Sequence, residues 1–424
     1  MKEIKSNVIS GVKWTTIGTI TNALVALLKI AILARFLDKE DFGLMALVTF
    51  VMGFMNLFND MGLTSAILHK QQISKNEYAS LYWLNVIFSI VLYGILLLIT
   101  PLVSNFYEEQ DLKFLIPLLG LNLLISAGGR IFKTIESKFL LFKQVTIFEI
   151  SASLLSLIFA VYLAINGYGV LALVYSALLQ YLVQNALYLI LGLKKYGLKL
   201  HFNFGETTPF LKIGMYQVGG QIINYFNRDM DILLIGKFFN SDVLGGYSLA
   251  KQLVSRPAQI LNPILLKVAS PALAKFQENM LQLKTNYLKL VGWVGKLNFA
   301  VYGAVALFAP IIVQLFYGAG FEEINPLVRI LSVYMIFRAI GNPVGSLVIA
   351  TGKTHLEFLW NMITLLVLPI FIYSGSIMGI EEVAWALTLA MAILFIPSWR
   401  LLVYKMTGAT FKEYLWAIIK PSFK

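Results

Sequence analysis

The chain has 424 residues, 58% of them hydrophobic and 13% charged, with a net charge of +12 and no cysteine. With a mean hydropathy of +0.76, it is far more apolar than a large soluble core requires and belongs with integral membrane proteins. The lack of cysteine excludes disulfides, thiolate metal sites and cysteine nucleophiles, and the basic residues collect in alternate loops, which is the pattern of a polytopic protein and not of a nucleic-acid surface.

Windows of about 20 apolar residues, the length that crosses a bilayer core, fall at 12–34, 43–68, 79–103, 112–132, 145–165 and 168–192, then at 210–236, 243–269, 291–317, 326–350, 356–379 and 383–404. The first is too long for the core of a signal peptide and reads as a span. The expected fold is an all-α polytopic membrane protein, with about twelve transmembrane helices in two six-helix bundles around a central cavity. In chain order this gives an N-terminal bundle over 1–192, a cytoplasmic connector over 193–209, a C-terminal bundle over 210–404 and a cytoplasmic amphipathic tail over 405–424.

Loop charge sets the orientation. Lys70 and Lys75, then Arg130, Lys133, Lys138 and Lys143, then Lys194, Lys195 and Lys199, then Lys267, Lys275, Lys284 and Lys289 fall on the side of the N-terminus. The opposite loops carry Arg35, Lys39, Lys113, Lys237 and Arg329, outnumbered by Asp38, Glu40, Asp41, Glu108, Glu109, Asp111, Asp242, Glu322, Glu323, Glu381 and Glu382, so both termini are expected in the cytoplasm. Glu149 lies close enough to the same boundary to be solvated. Two cytoplasmic stretches have one apolar face among lysines, Leu273, Phe276, Met280, Leu283 and Tyr287 in the first and residues 411–424 in the second, and both are expected to lie on the membrane surface. His69, His201 and His355 stand beside lysines at predicted helix ends, the placement of solvated histidines and not of a metal site or catalytic base.

The halves resemble each other. "ARFLDKEDFGLMAL" from Ala34 aligns without a gap with "GKFFNSDVLGGYSL" from Gly236, matching Arg35 with Lys237, Gly43 with Gly245 and Leu47 with Leu249. Six spans in each half make these repeats of the same topology, related by an axis along the membrane normal. In this register Lys29 corresponds to Asp231.

The stretch 219–257 is apolar enough to cross a bilayer twice yet holds Arg228, Asp229, Asp231, Lys251 and Arg256. A charge at mid-bilayer costs roughly 2.5 to 3.5 kcal/mol on insertion scales, so these groups are expected to face protein or water. Asn224, Asn227 and Asp231 recur at helical spacing, as do Ser248, Gln252, Ser255 and Gln259. Arg228, Arg256 and Arg338 each lie nine to twelve residues inside a predicted span end, about 13 to 18 Å deep at 1.5 Å of rise per residue. Planar guanidinium forks at that depth suit a diphosphate. Lys251 and Lys29 are shallower. Each could bind ligand or snorkel to the interface, and Lys29 and Asp231 are candidates for a gating pair. Asp60 near the inner end of span 2 is either a proton or cation site or a helix cap. Pro257 and Pro343 are candidate kinks in spans 8 and 10.

Four segments carry a family resemblance: "SNVISGVKWTTIG" from Ser6, "ARFLDKEDFGLMAL" from Ala34, "NDMGLTSAIL" from Asn59 and "LLIGKFFNSDVLGGYSLA" from Leu233. With these the sequence resembles polysaccharide flippases of the multidrug/oligosaccharidyl-lipid/polysaccharide exporter superfamily, of the Wzx type that exports O-antigen and colanic acid. The resemblance implies a bacterial inner-membrane protein that carries a polyprenyl-diphosphate-linked oligosaccharide to the outer leaflet by alternating access, for cell-surface polysaccharide biosynthesis. It implies membrane lipids and other polysaccharide-assembly proteins as partners, leaves a coupling ion (proton or sodium) open, and calls for no cofactor, no metal and no nucleic acid. Similar exporters often have two further spans, whereas this sequence stops within "FKEYLWAIIKPSFK". A drug or organic-ion antiporter of the same superfamily is the alternative reading, but for cations it would want an acidic cavity. A membrane polymerase or glycosyltransferase would need a sizeable aqueous loop or an acid/base constellation. Neither is present, so no catalytic residue and no enzyme activity are expected.

Overall fold

The computed structural model describes residues 2–70 and 72–419, without the side chains of residues 2–9, 213–217, 263–264 and 267–268. Lys267 among the loop charges and the last five residues of the expected amphipathic tail therefore lie outside the described residues. The chain forms two compact units, Met1–Tyr225 and Phe226–Lys424, and the division falls inside a helix.

The first unit contains α1 (Lys2–Leu33), α2 (Lys39–Asn59), α3 (Leu63–His69), α4 (Lys75–Tyr107), α5 (Leu112–Lys138), α6 (Phe142–Ile165), α7 (Val170–Lys195) and the beginning of α8 (Phe204–Phe238). Helix ends follow local chemistry. Ser74 caps α4 by accepting from the Glu77 amide at 3.2 Å while the Glu77 carboxylate takes the Ser74 amide at 2.7 Å, a reciprocal box that satisfies two otherwise orphaned donors. Span 2 breaks between α2 and α3, where Met61 and Gly62 adopt φ of 45° and 65°, a region that ends helices.

Lipid tails supply no hydrophobic drive for one helix to join another, so polar bonds and close approach must hold the unit together. Ser89 donates to Asn59 at 2.8 Å, Asn85 to the Ala127 carbonyl at 3.1 Å, and Ser153 to Asn22 at 2.9 Å. Gly129 lets α5 approach α7 so closely that an added Cβ would lie 2.8 Å from the Asn185 backbone. The stretch after α7 docks on the same unit. Lys199 reaches Asn76 at 2.8 Å, Glu206 accepts from Ser80 at 2.6 Å, and Phe210 is buried beside Leu81 and Tyr188. His201, expected to be solvated, instead pairs with Glu206 at 3.1 Å. Glu149 is likewise engaged, by Lys133 at 2.8 Å.

The second unit holds the rest of α8, then α9 (Ser241–Ala274), α10 (Met280–Leu307), α11 (Ala309–Tyr317), α12 (Asn325–Ile340), α13 (Pro343–Thr351), α14 (Thr354–Ser376), α15 (Ile380–Ser398), a π-helical turn (Trp399–Tyr404), α16 (Lys405–Thr407) and α17 (Phe411–Ile419). The repeat register survives in the helix boundaries. The offset that matches Arg35 with Lys237 also matches the first residues of α2 and α9, Lys39 and Ser241, and their polar caps Asp38 and Asn240. Pro343 opens α13 after a break at Gly341 and Asn342, whereas α9 runs on through Pro257. Among the described residues ten helical segments are long and apolar enough to cross a membrane. They correspond to ten of the twelve expected windows. The other two, in α8 and α9, belong to the least apolar of the long helices because they carry the charges described below.

The two stretches expected on the membrane surface pack in part on each other. Leu273, Leu283, Tyr287, Tyr414 and Ile418 share one buried cluster, where α17 folds back on α10, while Met280, Leu415, Trp416 and Ile419 stay exposed. Trp399 donates to the Ala409 carbonyl at 2.9 Å, and Lys284 reaches Glu413 at 2.6 Å. The Lys284 ammonium and the Thr410 amide hold the Glu413 carboxyl below its usual range. A carboxylate with a lowered folded-state pKa contributes stability above its unfolded value, about 4.3, and loses that contribution as pH falls through the lowered one. Hydrogen exchange should therefore show α17 amides losing protection on acidification toward pH 3, and Glu413→Gln should flatten that dependence; an unchanged profile in the variant counts against the pin.

Candidate functional site

In the second unit α8 and α9 form a helical hairpin. Asn240 starts α9 by accepting from the Val243 amide at 3.0 Å. Lys251, ten residues into α9, points at α8, where its ammonium meets Asp231 at 2.7 Å, Asp229 at 3.1 Å and the Arg228 carbonyl at 3.0 Å. Those three bonds use all of its donors. Asp231, 8% exposed, also accepts the Tyr247 hydroxyl at 2.6 Å and the Ile232 amide at 2.9 Å. Arg228 Nε donates to Asp229 at 2.8 Å. Asp231 thus finds its cation on the neighbouring helix, and Arg228 has a carboxylate beside it. Two cations and two carboxylates nearly cancel here.

Arg338 and Arg256 differ. Among the described residues neither has a carboxylate within ion-pair distance. Arg338 donates to the Tyr334 hydroxyl at 2.6 Å, lies 5.7 Å from that ring's centroid, and is in electrostatic reach of Asp229, Asp231 and Lys251. It occupies the last turn of α12, just before the break. Arg256 donates to Gln259 at 3.1 Å, while its Nε is buried without a hydrogen-bond partner. Asn227 donates to the Asn361 carbonyl at 2.8 Å, and its side-chain oxygen is buried and unpartnered. Asn342 at the break donates to Asn262 of α9 at 2.6 Å. Asn224 is exposed, on the part of α8 that belongs to the first unit.

Lys29 donates to Ser156 at 3.0 Å, and the Ser156 hydroxyl in turn donates to the Ser176 carbonyl at 2.7 Å. Lys29 and Asp231 therefore each have partners inside their own unit. Asp60 stands at the break in span 2, where Thr64 donates to it at 2.5 Å. Arg130, read from sequence as a loop cation, is inside α5 instead; it donates to the Asn59 carbonyl and is in electrostatic reach of Asp60. It caps the carbonyl end of α2, where a cation opposes the helix dipole.

Two groups were missed in the sequence, Tyr247 and Tyr334. Each precedes its cation, Lys251 or Arg338, by four residues, one helical turn. That shared spacing was a usable signal.

Fold and site together define a multi-pass helical membrane protein with charged groups set inside one of its two helical units. The chain belongs to the polysaccharide biosynthesis protein family, whose model matches residues 32–326. It is 30% identical to the lipopolysaccharide biosynthesis protein WzxC of Escherichia coli (strain K12), over 99% of this chain and 86% of that one. It is 26% identical to the teichuronic acid biosynthesis protein TuaB of Bacillus subtilis (strain 168), over 99% and 87%. Among solved structures it resembles the lipid II flippase MurJ in an inward closed conformation, with a TM-score of 0.77 at 15% identity over 96% of this chain and 90% of that one. An inward-facing multidrug resistance MATE family transporter superposes with a TM-score of 0.69 at 17% identity, over 93% and 100%. These likenesses show the fold of the multidrug/oligosaccharidyl-lipid/polysaccharide exporter superfamily.

Proposed function

We propose that the protein is a flippase that carries a lipid-diphosphate-linked oligosaccharide from the cytoplasmic to the outer leaflet by alternating access, with both termini in the cytoplasm. It acts as a transporter and not as an enzyme. The observation that carries this reading is the pair of guanidinium groups, Arg256 and Arg338, without carboxylate partners inside a unit of a polysaccharide-biosynthesis chain. A diphosphate offers both of them oxygens for forked, charge-assisted bonds. WzxC and TuaB carry names of polysaccharide biosynthesis, and MurJ is named a lipid II flippase, which supports a lipid-linked sugar as cargo. Arg228 and Lys251 extend the cationic site, and Asn224 and Asn227 offer amides to sugar hydroxyls. Lys29, Asp60 and Asp231 are assigned to gating or coupling, with a proton or sodium ion as the driving ion.

The MATE neighbour raises a second reading, a drug antiporter. Against cationic drugs stand four cations on these helices, Arg228, Lys251, Arg256 and Arg338, against two carboxylates, Asp229 and Asp231. Reconstituted vesicles test the choice. A fluorescent lipid-diphosphate oligosaccharide should cross only in vesicles containing the protein, and an organic-cation dye should not. The reverse result would overturn the flippase.

A further inference from the structure

We infer that Asp229 is a built-in stand-in for substrate phosphate: its carboxylate occupies an anion site formed by Arg228 and Lys251, and a diphosphate takes that place when cargo binds. This rests on the diphosphate reading above and specifies which further groups the head group engages.

One oxygen of Asp229 receives Arg228 Nε at 2.8 Å and the other receives the Lys251 ammonium at 3.1 Å. A carboxylate bridging two cations, one oxygen on each, reproduces what two phosphate oxygens would do there. The two aspartates beside Lys251 are not equivalent. Asp231 is held by the shorter lysine bond, at 2.7 Å, by the Tyr247 hydroxyl and by a backbone amide. Among the described residues the hydrogen bonds to the Asp229 side chain come from the two cations named here, and that side chain is 22% exposed.

Arg228 is suited to exchange. It directly precedes Asp229 on α8, and consecutive helical side chains diverge by about 100°. Its side chain bends back to reach its neighbour and stays 61% exposed. Exposed ion pairs of this kind contribute little. When Asp229 swings away, Lys251 still holds Asp231 and the Arg228 carbonyl, so the ammonium stays fixed where a phosphate oxygen would arrive. The site is thereby closed to stray anions and opened by a ligand with more oxygens and more charge than one carboxylate.

Binding of inorganic pyrophosphate to the full chain in phosphatidylcholine nanodiscs tests this. A site blocked by its own carboxylate most of the time shows an affinity lowered by the fraction open, so Asp229→Asn should tighten binding about tenfold. Adding Arg228→Ala to that variant should abolish the gain. Asp231→Asn should bring no gain, because it loosens Lys251 without vacating the site. Unchanged or weaker pyrophosphate binding in both Asp229→Asn and Asp229→Ala overturns the inference, with the thermal unfolding of each variant in the same nanodiscs as the folding control. The same titration in phosphatidylglycerol nanodiscs separates the sources of phosphate. A gain that persists assigns the site to a diphosphate, and one that vanishes there assigns it to ordinary lipid phosphodiester and overturns the proposal. Failure of the flippase reading is seen separately, as absent vesicle transport by the unaltered protein whatever Asp229→Asn does to pyrophosphate.

Discussion

Replacing Arg256 and Arg338 together by alanine should lower export by two or more orders of magnitude while leaving the protein in the membrane. Arg338 commits one hydrogen bond to Tyr334 and Arg256 one to Gln259, out of five donors on each fork. A charge-assisted bond to a ligand is worth about 1.5 to 3 kcal/mol, and about 1.4 kcal/mol is a factor of ten, so even one bond lost from each fork reaches that range. Insertion should not suffer, because removing a cation from a span removes roughly 2.5 to 3.5 kcal/mol of insertion cost. Lysine at either position should restore only part of the activity, since it supplies charge without the planar fork. Arg228→Ala should cost less than either, because Arg228 already shares its charge with Asp229. Complementation of an export-deficient strain, with immunoblots of the membrane fraction, measures both quantities. Full export by the double variant would remove these arginines from the head-group site.

That ranking among the arginines was beyond the sequence. Rise per residue gave Arg228, Arg256 and Arg338 comparable depths, and depth follows from helix geometry alone. What separates them is a partner: Arg228 has a carboxylate adjacent in sequence, and the other two have only a hydroxyl and an amide. The spans were legible because apolar windows of bilayer length are a strong one-dimensional signal, and the break in span 10 fell at Pro343, whereas the break in span 2 at Gly62 was not read from the sequence. The packing of Tyr414 and Ile418 of α17 against α10 was not legible. An amphipathic segment declares that one face needs covering, and whether lipid or protein covers it depends on where Tyr287, Leu347 and Val403 stand in space. Arg130 failed for a related reason. Its charge suggested a loop, but the break after Asn59 exposes a carbonyl inside the unit that an arginine from α5 can satisfy. The partner of Asp231 was likewise hidden, since spacing within one helix pointed to Arg228 and only the hairpin brings Lys251 across.

Lys251→Met should be among the most destabilising single changes in the second unit. It removes what is, among the described residues, the one cation bonded to Asp231, a carboxylate 8% exposed and otherwise held by Tyr247 and a backbone amide. Breaking a buried ion pair from one side typically costs about 3 to 5 kcal/mol, because the remaining charge stays buried without compensation. The double replacement Lys251→Met with Asp231→Asn should be less destabilised than Lys251→Met alone, since no net charge is then stranded at Asp231. Tyr247→Phe should cost less, about 1.5 to 3 kcal/mol for one hydrogen bond to a charged acceptor. Lys29→Met supplies the contrast. Its bonded partner is the Ser156 hydroxyl, which still reaches the Ser176 carbonyl, so no charge is left behind and the loss should be smaller still. Unfolding of the detergent-solubilised protein orders these variants. If Lys251→Met proves no less stable than the double replacement, the Asp231 carboxylate draws its compensation from elsewhere, and the ionic link between α8 and α9 is not what holds the hairpin closed.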